Sequence, residues 1–118
     1  MAEIALENLA NKLGGDLDQW SRAFTISLFN GVVRDTRVDT GRLRGNWQIT
    51  TGSPASGEID RLDPNGSQVF SEIVGSVRAE NINWMTNNLS YAAVWEEKDG
   101  MIARNVARLE RIAREAVK

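Results

Sequence analysis

Cysteine and histidine are both absent from this chain. Without cysteine there is no disulfide, no thiolate metal site and no sulfur nucleophile. Without histidine the commonest general base at neutral pH and the commonest zinc ligand are missing. No Ser-His-Asp arrangement can be assembled. Catalysis would have to rest on carboxylates, lysine or the single tyrosine, Tyr91. No apolar run approaches the roughly 18–20 residues of a membrane-spanning helix. Neither sign of charge dominates: 14 Lys and Arg face 16 Asp and Glu, a net charge of −2. That is not the basic footprint of a dedicated DNA-binding domain. There is no G-x-G-x-x-G, no P-loop and no nucleophile elbow. The start, Met1-Ala2-Glu3-Ile4, has no basic stretch and no long apolar stretch. No secretory signal is expected, and an intracellular compartment is the default expectation.

What is present fits one globular domain. The 118 residues are 42% hydrophobic and 25% charged, ordinary values for a packed chain. Leu6, Leu9 and Leu13 suggest a short amphipathic segment that Gly14-Gly15 breaks. Asp16 is the expected N-cap of a long helix from about Leu17 to about Arg37. Leu17, Trp20, Phe24, Leu28 and Val32 recur on its apolar face, so Trp20 and Phe24 are expected in the core. Asp39-Thr40-Gly41 reads as a turn, with Gly41 at a positive φ. Arg44 to Thr51 alternates through Trp47 and Ile49 as a half-exposed strand.

From Gly52 to Gly66 the composition shifts. Both prolines lie here, with several Gly and Ser. So long a stretch without regular structure predicts a protruding arm that reaches a partner, with Ile59 and Leu62 as its anchors. Ser67 to Ala79 carries Val69, Phe70, Ile73, Val74 and Val77 on one helical face, with Ser67 as the expected N-cap; its β-branched content and Gly75 leave a strand as the alternative. Asn81 to Thr86 alternates through Ile82 and Trp84, and Tyr91 to Trp95 is expected to return as a hairpin arm. Glu96 to Gly100 reads as a charged loop. Met101 to Val117 is an amphipathic helix, with Arg104, Arg108, Arg111 and Lys118 on its polar side. The expected class is α+β: a small antiparallel sheet of three or four strands packed against two or three helices. It has a long N-terminal helix and an amphipathic C-terminal helix.

Few residues offer chemistry. Glu96, Glu97 and Asp99 are the densest carboxylate group, but their spacing matches no calcium or magnesium loop. A solvated loop or a charged subunit contact is the plainer reading. Arg42 and Arg44 flank Leu43 beside the turn, placed to pair with phosphate or with acids of a neighbouring chain. The basic helix face suits a wet surface, nucleic acid or an acidic partner. Trp47, Trp84 and Trp95 lie on candidate strands, and tryptophan serves cores and interfaces alike.

Two segments together resemble a known family. The first is Val38-Asp39-Thr40-Gly41-Arg42-Leu43-Arg44-Gly45-Asn46-Trp47, at the end of the long helix. The second is Asn87-Asn88-Leu89-Ser90-Tyr91-Ala92, followed by Glu96, Gly100-Met101-Ile102 and Arg104. In this order and spacing they resemble the neck or tail-completion proteins of long-tailed double-stranded DNA bacteriophages. Ser90 stands where that family usually has proline, and the Glu96–Gly100 segment is shorter than usual. The resemblance implies a structural, non-enzymatic role in the virion, with assembly in the host cytoplasm and no cofactor or metal. It implies a ring, expected as a hexamer, between the connector or stopper and the tail-tube or tail-terminator proteins. DNA would pass through its channel without sequence-specific contacts, and no membrane would be involved. The expected interface residues are Asp39, Arg42, Arg44, Trp47, Ile59, Leu62, Glu96, Glu97 and Asp99. Two rival readings come from the residues themselves: a small nucleic-acid-binding regulator using the C-terminal basic helix, and a carboxylate hydrolase using Glu96, Glu97 and Asp99.

Overall fold

A computed structural model describes residues 16–116. The expected segment with Leu6, Leu9 and Leu13, together with Val117 and Lys118, lies outside the described residues. The architecture is mixed α and β: five helices and one two-stranded antiparallel sheet among the described residues.

Helix α1 spans Leu17–Asp35. Asp16 caps it, its carboxylate accepting the Asp18 N–H at 2.8 Å. Asp18 in the first turn and Arg34 in the last both suit the helix dipole. Only the second half of its apolar stripe reaches the deep core, through Phe29, Val32 and Val33. Trp20 and Phe24, expected there, are half-buried and stand outside it. The reason is the length of helix α3 (Ser67–Ser76), which packs along α1. It ends beside Arg22, whose guanidinium donates to the carbonyls of Val74 and Val77 at 3.0 and 3.1 Å. Its Val69 and Ile73, with Val77 just beyond its end, complete the core with Trp47 and Met101.

The turn after α1 places Gly41 at φ 92°, as expected. A Cβ there would lie 2.6 Å from the Pro64 nitrogen. The turn then closes into a one-turn helix, α2 (Arg42–Gly45), so strand β1 begins only at Trp47 and runs to Thr51. The Gly45 N–H on the Gly41 carbonyl, at 2.8 Å, holds Arg44 in helical geometry. Strand β2 (Asn83–Asn87) pairs with β1 in the register Ile49↔Met85. The expected third strand, Tyr91–Trp95, is instead the start of helix α4 (Ala92–Asp99). Asn87 turns the chain out of the sheet: its Oδ1 accepts the Leu89 N–H and its Nδ2 donates to the Leu43 carbonyl. A short apolar run such as Ala92-Ala93-Val94-Trp95 suits either element.

The segment from Gly52 to Gly66 is not a protruding arm. It is tied to its own monomer along its length. Asn88 Nδ2 donates to the carbonyls of Ala55 and Gly57 at 2.9 and 3.0 Å. The Ile59 N–H donates to Oδ1 of the buried Asn46 at 2.9 Å. The Arg61 guanidinium donates to the carbonyls of Gly45 (2.7 Å) and Trp47 (3.1 Å) and pairs with Glu72. Asp63, only 1% exposed, accepts the Val69 N–H at 3.0 Å. Polar side chains thus supply the partners that a ladder would give. Ser67 is the first residue of α3, while Gly66 holds the N-cap position. Capping comes from Asp63 and from Asn65 Oδ1, which accepts the Ser67 N–H at 3.1 Å.

Helix α5 spans Met101–Ala116 and crosses α1 closely. A Cβ at Gly31 would lie 2.0 Å from Asn105 Oδ1, so only glycine lets the helices meet here.

Candidate functional site

The two segments that carry the family resemblance meet in space. Asn87 lies across from Trp47 in the sheet, and its amide donates to the Leu43 carbonyl at 2.8 Å. Leu43, Leu89 and Ala92 form a second, smaller apolar cluster, against which Trp95 packs. Trp95 also touches the main core, so it joins the two.

A cleft of about 160 Å³ opens above this junction. Arg37, Asp39, Thr40, Arg42, Tyr91 and Trp95 line it. Leu43 supplies apolar lining. The Arg37 guanidinium stacks over the Trp95 ring, 4.1 Å from its centroid, and makes paired hydrogen bonds of 3.2 Å to Asp99. Lys98 approaches the same ring at 5.4 Å. The side-chain hydrogen bond from Arg37 holds the Asp99 carboxyl below its ordinary value, and the same bond raises Arg37. Arg42 donates to Glu58 at 2.9 Å, with both side chains largely exposed. The cleft is therefore lined by cations already paired with acids and by aromatic surface. Among the described residues no group of three or more His, Cys, Asp or Glu converges on a possible metal position.

The expected interface residues separate into three groups. Asp39 and Arg42 line the cleft, and Asp99 anchors it through Arg37. Glu97 is exposed on α4, Ile59 is half-buried beside Asn46, and Leu62 is exposed at 56% and so anchors nothing. Trp47, Arg44 and Glu96 have internal duties. Trp47 is 3% exposed, and its indole N–H donates to the Thr36 hydroxyl at 2.8 Å. It is a core residue, not an interface residue, because the sheet turns that face onto α3 and the core that α3 shares with α1. Arg44 turns inward and donates to the carbonyls of Pro64, Arg34 and Thr36. The Glu96 carboxylate accepts the N–H groups of Ile102 and Ala103, capping α5. The charged loop expected at Glu96–Asp99 is the last turn of α4, ended by Gly100 at φ 62°.

On α5 the expected basic face loses one member. Arg104 and Arg111 are exposed. Arg108 leans back to Asn105 Oδ1 and the Ser27 carbonyl, locking α5 to α1. Arg114 stands exposed beside the outward pair. Lys118 lies outside the described residues. Arg37 and Tyr91 are cleft residues that reasoning from sequence leaves out of the expected interface, and Trp95 is named there only as a core or interface tryptophan. Their one advance signal was position, inside or next to the two motif segments.

No protein-family model, no curated protein and no solved structure matches the chain. Among the described residues no helix is long and apolar enough to cross a membrane.

Proposed function

We propose that this protein is a non-enzymatic structural component of a bacteriophage neck. In this reading it forms a ring, a hexamer, at the head–tail interface, completes or terminates the tail and joins it to the connector. DNA passes through the ring without sequence-specific contact. The observation that carries the reading is the junction of the two motif segments. Residues far apart in sequence, Leu43 and Asn87, are hydrogen-bonded, and together the segments frame one aromatic, cationic cleft. A motif pair that served only local turns would not need to meet. The chemistry of the cleft suits a contact with protein: aromatic and arginine side chains are enriched where interfaces are strongest. The absence of His and Cys from the sequence agrees with a role in assembly.

The test is the native mass of the protein, alone and with tail-tube protein, together with complementation of particles lacking it. A ring and restored head–tail joining are expected. Arg42→Glu with Tyr91→Ala should abolish joining while leaving the denaturation midpoint near that of wild type, since both residues are exposed or half-exposed. A monomer under both conditions, with no restoration of joining, overturns the reading. Binding to duplex DNA with a steep salt slope would select the rival reading through Arg104, Arg111 and Arg114.

A further inference from the structure

On β2 the outer face carries large apolar side chains of the kind a core face normally carries. Ile49 and Met85 pack on the core, and the register pairs Thr50 with Trp84 on the opposite face. Side chains alternate along a strand, so Ile82, Trp84 and Thr86 face outward while Asn83, Met85 and Asn87 face inward. Ile82 is 69% exposed and Trp84 39%. A strand with one covered face normally turns its apolar set toward the cover. Here Met85 meets the cover, but Ile82 and Trp84 point to the open side.

The free edge of β2 shows a second irregularity. The Gly52 N–H donates to the Ile82 carbonyl at 2.9 Å. In an antiparallel ladder alternate residues direct both main-chain groups to the partner. Ile82, Trp84 and Thr86 therefore bond toward β1, and Asn83 and Met85 present their N–H and C=O groups to the other edge. Among the described elements β2 packs closely only on β1. The β1 side is covered, since Arg61 reaches the Trp47 carbonyl there. Open edges are ordinarily protected by lysine, proline or a bulge. The β1–β2 register is unbroken, and from Asn81 to Tyr91 the chain has neither a charge nor a proline.

We propose that β2 of one copy pairs antiparallel with β2 of a second copy about a two-fold axis through Met85, making one continuous four-stranded sheet. The charge pattern selects this occupant. In a chain that is 25% charged, an uncharged edge offers no attraction to a charged partner, and a copy of itself brings no like charge against it. The register is also self-complementary. Asn83 meets the second copy's Asn87, and Met85 meets its own equivalent, so the outward main-chain groups are satisfied in pairs. Trp84 meets the second copy's Thr86, which repeats the Trp84–Thr50 pairing inside each copy. The two Trp84 residues become diagonal neighbours, about 7–8 Å apart and within aromatic reach. The same patch serves both copies, so the contact closes on itself. It is independent of the neck reading, because a ring needs a head-to-tail contact elsewhere.

The natural chain has no cysteine, so Trp84→Cys and Thr86→Cys each carry one thiol. Opposed residues in a close antiparallel pair have Cα atoms about 4.5 Å apart, within the disulfide range of about 4.4–6.8 Å. Mild oxidation of the two full-length variants mixed together should give a disulfide-linked heterodimer. It should form at least tenfold more than the homodimer from either variant alone, with both variants melting cooperatively. In the wild-type protein, the amides of Asn83 and Met85 should exchange with deuterium at least tenfold more slowly as concentration rises through dimerisation. The Trp84 amide, already in the ladder, should change little. Equal cross-linking of the separate variants, no cross-link in the mixture, or Asn83 and Met85 amides that exchange at the same rate at all concentrations would overturn the proposal.

Discussion

Glu96 holds the start of α5: its Oε1 accepts the Ile102 N–H at 2.8 Å. Its second oxygen accepts the Ala103 N–H at 3.2 Å. One carboxylate thus satisfies two of the donors that a helix start leaves unpaired, and its charge suits the positive end of the helix. Glu96→Ala should cost about 0.5–2 kcal/mol, the range for lost helix caps. Chemical denaturation would measure it. Glu96→Gln should recover part of the loss, because one acceptor oxygen remains.

Gly31 is where α1 and α5 touch. A methyl group there would overlap Asn105 Oδ1 and crowd Arg108 Nη2, 2.7 Å away. Asn105 is 1% exposed and already bonds Asp35 and the Met101 carbonyl, so it has little room to yield. Gly31→Ala should destabilise by about 1–3 kcal/mol, as overpacked cores do. In a double-mutant cycle with Asn105→Ala the two losses should be clearly less than additive, since the second change removes the clash.

Acid should loosen the cleft. The Asp99 carboxyl is held below its ordinary value by Arg37, so it binds fewer protons folded than unfolded. The stabilisation is full above the ordinary carboxylate pKa of about 4 and is lost as pH falls from there through the lowered folded value. Arg37 is raised, so its contribution would fade only in strong alkali. Because Arg37 covers the Trp95 ring, tryptophan fluorescence should report the acid step. Asp99→Asn should remove that step and leave the neutral-pH spectrum resembling that of the acidified wild type.

Removing residues 53–65 should unfold the protein and not merely trim a loop. Arg61 joins Gly45, Trp47 and Glu72, and Asp63 caps α3 from a buried position. The deletion should therefore abolish the cooperative thermal transition. Asp63→Ala alone should cost about 1–3 kcal/mol, the penalty of leaving a buried N–H unpaired. A normal melt for the deletion would show that the segment contributes nothing to the fold.

Truncations of the helix tryptophan Trp20 and the strand tryptophan Trp47 should rank by burial. Trp47→Ala should cost about 3–5 kcal/mol, as for aromatic truncations in cores. Trp20→Ala should cost less, because Trp20 is half-buried and beyond the end of α3. Parallel urea melts would settle the order.

Local patterning was enough to locate α1, α3 and α5. Each has apolar residues recurring at helical spacing over several turns, and that signal depends only on neighbours in the chain. Asp16 as a cap and Gly41 at positive φ were legible for the same reason, since both are local backbone requirements. The tertiary structure alone decided what each face meets. Trp47 and Trp84 look alike in sequence, each in an alternating stretch, yet the register buries the first and exposes the second. Tyr91–Trp95 became a helix because Asn87 spends its side chain on Leu43 and Leu89 and ends the strand. Glu96 read as part of a solvated loop or a subunit contact, and nothing in the sequence singled out Arg61 or Asp63; all three became internal fasteners only when folding brought unpaired main-chain groups to them. A short-range pattern can specify an element and its faces, but hydrogen bonds between residues distant in sequence decide where those faces point.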